Sequence, residues 1–71
     1  MKTISILIKK YRIEKNITQE EMASKIGISR QTLSYIENNK NINLNNVTIG
    51  KIMKVLKLSK KERNDIYNEL L

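Results

Sequence analysis

Arg30 and Gln31 stand side by side at the start of a segment whose apolar residues, Leu33 and Ile36, lie three apart. On a helix with Leu33 and Ile36 turned inward, positions 30, 31, 34 and 35 share the opposite side. Arginine donates paired hydrogen bonds, and a glutamine amide both donates and accepts. Those are the patterns that nucleic-acid base edges match. The chemistry on offer is recognition, not bond making. The chain contains no His and no Cys. That removes imidazole acid–base catalysis, thiolate nucleophiles, disulfides and the usual zinc sites. A hydrolase or metalloenzyme is therefore not expected, and neither a catalytic set, a metal nor a cofactor.

The balance of charge points the same way. In 71 residues there are 14 basic and 7 acidic side chains, a net charge of +7 and a pI near 9.9. Such a chain favours a polyanionic partner, nucleic acid ahead of anionic lipid. The charge is unevenly spread: residues 1–17 carry +4, residues 18–38 carry −1 and residues 39–71 carry +4. Attraction to a duplex is expected from the flanking Lys9, Lys10, Lys40, Lys51 and Lys54, with Lys57, Lys60 and Lys61 on a solvated face. No apolar run approaches the ~20 residues of a membrane span. The apolar stretch near the start is short and lacks a cleavage site. A cytoplasmic protein with no membrane partner is expected.

These side chains need a scaffold to position them. The length suits one small domain, residues 1–71, with 39% apolar residues for its core. There is no proline and no linker-like stretch. Ile4, Leu7, Ile8 and Tyr11 follow helical spacing, and Asn16 can end that helix in the left-handed region. Thr18 and Glu21 form a capping box before a second helix with Met22, Ala23 and Ile26 inward, stopping at Gly27. Ser29 caps the third. Asn45 caps a fourth carrying Ile49, Ile52, Met53 and Leu56. Ser59 and Glu62 form another capping box for a last helix, about 60–70, with Ile66, Tyr67 and Leu70 as its stripe. The Ile-rich start has no period-two alternation, so helix is preferred to strand. The expected fold is all-α, with five helices.

Residues 18–38 then read as two short helices joined by a tight turn at Gly27, a helix-turn-helix. Residues 12–23 (RIEKNITQEEMA) and 26–40 (IGISRQTLSYIENNK) resemble the lambda-repressor-like, Cro-type helix-turn-helix transcriptional regulators. The likeness runs over roughly residues 4–58. It implies that Arg30, Gln31, Ser34 and Tyr35 take base-reading positions. It further implies DNA-backbone contacts from Gln19, Ser29, Thr32, Asn38, Asn39 and Lys40, and a structural ion pair between Arg12 and Glu37. Asn39 stands where that family has glycine, and the proline that follows there is missing. Asn39 is expected to hold the left-handed conformation in its place.

The function implied is a sequence-specific, double-stranded DNA-binding transcriptional regulator. The type expected is a small phage- or mobile-element repressor, dimeric on a pseudo-palindromic operator and without a small-molecule effector domain. A homodimer contact is expected from Ile66, Tyr67, Leu70 and Leu71, unless that helix only caps the core. Alternatives are a restriction–modification controller protein or antitoxin of the same fold. From a different class, the scaffold could serve as a protein-binding adaptor.

Overall fold

Burying Ile4, Ile8 and Tyr11 on one side makes a helix of residues that could otherwise form a strand. They belong to α1 (Ile4–Glu14) in a computed structural model that describes residues 4–39 and 44–70. The other elements are α2 (Gln19–Ile26), α3 (Arg30–Asn38), α4 (Asn46–Val55) and α5 (Lys60–Leu70), with no strand among the described residues. The fold is all-α and of the lambda-repressor-like helix-turn-helix type. Lys40 and Leu71, each assigned a role above, lie outside the described residues.

The starts of α2, α3, α4 and α5 are each satisfied by a side chain. Thr18 Oγ1 accepts from Glu21 N at 3.0 Å, Ser29 Oγ from Thr32 N at 3.0 Å, and Asn45 Oδ1 from Thr48 N at 2.8 Å. At α5 the box is reciprocal: Glu62 N donates to Ser59 Oγ, and Ser59 N donates to Glu62 Oε1 at 2.8 Å. At α2 the Glu21 carboxylate instead lies 3.4 Å from Lys25, one turn on. Helix ends follow the chemistry of left-handed residues. Asn16 has φ 59° after α1, and Gly27 has φ 91° after α2. Nothing lies within 4 Å of where a Gly27 Cβ would stand, so backbone conformation rather than space asks for glycine there.

Two ends differ from the sequence reading. Asn39 is extended, φ −111° and ψ 106°, not left-handed. An L-residue adopts that conformation without strain, whereas the left-handed one has a steric cost that glycine escapes. The second difference is Lys57, which takes φ 51° after α4. The turn lets Leu58 N donate back to Met53 O and places the Leu58 side chain in the core.

The core gathers one stripe from every helix, including Met22, Leu33, Ile52, Leu56 and Ile66, each essentially inaccessible to solvent. Helix α3 packs on α1 and α2, α4 supports α2, and α5 lies on α1. The last contact has a polar seam: Tyr11 Oη donates to Asp65 at 3.1 Å, and Lys15 lies 3.3 Å from Glu62. Tyr67, expected in the inward stripe of α5, points outward, because residues 66 and 67 stand ~100° apart around a helix.

Burial of the Tyr11 phenol, and then the carboxylates of Asp65, Glu62 and Glu14, push its pKa from 10.0 to about 12. The neutral phenol is favoured in the fold, so its contribution is complete below pH 10 and disappears as pH rises through about 12. Thermal melts from pH 8 upward should show an extra loss of stability above pH 10 that is absent in Tyr11→Phe.

Candidate nucleic-acid interface

Glu37 sits on the inward side of α3, one residue after Ile36, and its side chain is 0% exposed. A carboxylate withdrawn from water must be paired and hydrogen-bonded. Arg12 at the end of α1 meets it with two prongs, Nε to Oε2 at 2.6 Å and Nη2 to Oε1 at 3.1 Å. The third arm, Nη1, donates to Ile17 O at 2.8 Å, so the guanidinium also fixes the chain that leads into α2. Gln19 Nε2 completes the set by donating to Glu37 Oε1 at 2.9 Å. One carboxylate thus receives donors from α1 and α2 while belonging to α3.

That triangle fixes how α3 is held, and α3 has little else inward: Leu33, Ile36 and Glu37 are its only buried residues. On the other side Arg30, Gln31 and Tyr35 are exposed, Tyr35 by 60%, and Ser34 is half-buried. The four candidate base-reading residues are therefore on one accessible side. Their neighbours are partly occupied. Ser29 and Thr32 hydroxyls lie 2.8 Å apart, sharing one proton and leaving the other to donate outward. Asn38 Nδ2 donates to Ser34 O at 2.8 Å and approaches Ser34 Oγ at 3.2 Å, which turns its acceptor oxygen outward.

Arg12, Thr18, Gln19, Glu20 and Arg30 line a shallow polar cleft where the starts of α2 and α3 converge. The Gln19 amide keeps one N–H beyond the one given to Glu37, available to an anion at the α2 N-terminus. Arg12 is neutralised by Glu37, and Glu20 opposes Arg30, so the cleft itself carries no net charge. The exposed Lys9, Lys10, Lys51 and Lys54 lie outside it. Sequence reading missed the Gln19–Glu37 bond. The residues are 18 apart on different helices, and no local spacing announces it.

Losing one partner of the buried pair leaves the other charged and dry, typically costing ~3–5 kcal/mol, whereas apolar replacement of both is often neutral. Urea unfolding should show that loss in Arg12→Met and in Glu37→Leu. Most of it should return in the double variant.

Residues 8–62 match the family described as Helix-turn-helix. Over 33 residues the chain is 52% identical to a protein of Methanocaldococcus jannaschii named as an uncharacterized HTH-type transcriptional regulator. That stretch is 46% of this chain and 50% of the relative, so the chain spans about half the length of the curated relative it matches. No solved structure matches.

Proposed function

From the premise that the chain belongs to the helix-turn-helix family, we propose that it is a sequence-specific transcriptional regulator that reads double-stranded DNA through α3. The family and the relative's printed name support the DNA-binding, regulatory part of this reading. What carries it on this chain is the arrangement of α3. A buried carboxylate clamps the helix from behind, while Arg30, Gln31 and Tyr35 project outward. Arg30 suits guanine O6 and N7, and Gln31 suits adenine N6 and N7. Tyr35 and Ser34 complete the face along the groove. Gln19 keeps one N–H and the Ser29–Thr32 pair keeps one O–H for phosphate, so their part is to set register. Asn38 at the last position of α3 and Asn39 after it extend that contact, Asn38 by releasing its amide from Ser34.

One nine-residue helix reads only a few base pairs. Two copies about a two-fold axis would read half-sites one turn apart, about 34 Å. The reading is therefore a dimer on a pseudo-palindromic operator, in the manner of a small phage- or mobile-element repressor acting in the cytoplasm. Ile66, expected in the dimer contact, is 1% exposed within the single chain and serves the core instead. The interface then falls to Tyr67, 49% exposed, and the half-buried Leu70.

Selection of bound duplexes from a random-sequence pool should enrich a two-fold symmetric site. The same selection with Arg30→Ala should relax one or two positions, each by ~1–3 kcal/mol of discrimination; an unchanged profile removes Arg30 from the base-reading set. Sedimentation offers a separate check. Tyr67→Lys should shift dimer toward monomer while keeping the helical circular dichroism of the wild type, and an undisturbed dimer puts the contact elsewhere.

A further inference from the structure

Helix α1 has a second outward face, on the side away from α5 and beside the C-terminal end of α3. Ile6, Lys9, Lys10 and Ile13 border a groove of about 400 Å³ whose far wall is Glu37 and Asn38, the Glu37 carboxylate being buried and neutralised by Arg12. Ile6 and Ile13 lie two turns apart on that face, 46% and 54% exposed. Lys9 and Lys10 stand between them, and neither has an ion-pair partner among the described residues. Ser5 also lines the groove. It is 1% exposed, and its Oγ has no hydrogen-bond partner among the described residues. A buried hydroxyl without a partner is unusual in a native fold.

The groove thus offers two apolar seats, two cations between them and one unmet hydroxyl. We propose that it docks an acidic amphipathic helix of a partner protein. The partner's apolar side chains lie on Ile6 and Ile13, and its carboxylates meet Lys9 and Lys10. The charges select this occupant. A phosphate backbone would match the lysines and leave both isoleucines in water. A second copy of the chain, joined about a two-fold axis here, would set Lys9 and Lys10 against their own images, with a charge of +7 on each side. The proposal is independent of base reading by α3, although a partner seated here abuts Asn38 at the end of that helix.

The test is backbone amide NMR on the whole chain, titrated with a short synthetic helix bearing leucines along one face and glutamates elsewhere. Shifts should gather at Ser5, Ile6, Lys9, Lys10, Ile13 and Asn38 and should weaken as salt rises. A scrambled peptide of the same composition should bind at least about tenfold more weakly, as should the chain carrying Ile6→Asp and Ile13→Asp. Because both residues are exposed, that variant should keep its circular dichroism and the wild-type pattern of duplex-induced shifts at Arg30 and Gln31, at weaker affinity because two carboxylates join Lys9 and Lys10. The proposal is overturned by no binding, by shifts elsewhere, or by equal binding of the scrambled peptide. Random-sequence duplex shifting Ile6 and Ile13, beyond the shifts at Lys9, Lys10 and Asn38 that duplex binding itself predicts, would assign the face to nucleic acid. Shifts that appear with protein concentration alone would assign it to self-association. Either of those results also overturns the proposal.

Discussion

The constraint on which the structure depends is that the Glu37 carboxylate lies out of reach of water and must be met by donors. Arg12 supplies two of them and Gln19 a third. These residues belong to α1 and to the first turn of α2, so satisfying one side chain sets the angle between three helices. Such a pair is weak support for stability, because the attraction is largely offset by the loss of hydration. Its use here is orientation. A hydrophobic contact tolerates a helix that slides or rolls by a fraction of a turn; a two-pronged guanidinium–carboxylate contact does not.

Orientation matters because α3 is short and has few other anchors. Nine residues provide two apolar contacts, Leu33 and Ile36, and one charged one. The Ser29 cap fixes where the helix begins, and Gly27 fixes how α2 turns into it. With its inner face held, the outer face is free to carry polar residues that do nothing for the core. Helices α4 and α5 contribute indirectly, by completing the hydrophobic contacts behind α2 and α1. The same division explains the charge pattern. Residues 18–38 are close to neutral and the exposed lysines lie around them; on the proposed reading, attraction arises from those lysines and discrimination from hydrogen bonds within the segment.

Much of this was legible in the sequence because the signals are local. Thr18, Ser29, Asn45 and Ser59 each stand just before an apolar periodic run, and each caps a helix. Gly27 and Asn16 mark left-handed ends for reasons of backbone sterics alone. What escaped depends on tertiary packing. Asn39 was assigned its conformation by analogy with glycine, yet an extended residue leaves α3 with less strain. Lys57 was read as a surface charge, and its left-handed backbone is dictated by Leu58 reaching the core. The Gln19–Glu37 bond requires α2 and α3 to be docked before it exists. In α5, spacing identified an apolar stripe, but only the position of α1 decides that Ile66 faces in and Tyr67 out.

The central claim, that the buried pair orients a DNA-reading helix, is tested most directly with the variant carrying both Arg12→Met and Glu37→Leu. The quantity to measure is its ratio of affinities for a selected operator and for a random duplex, under conditions where it is fully folded. The account expects that ratio to fall at least about tenfold, with affinity for the random duplex little changed. A folded double variant that discriminates as well as the parent would contradict it. Apolar packing alone would then suffice to place Arg30 and Gln31.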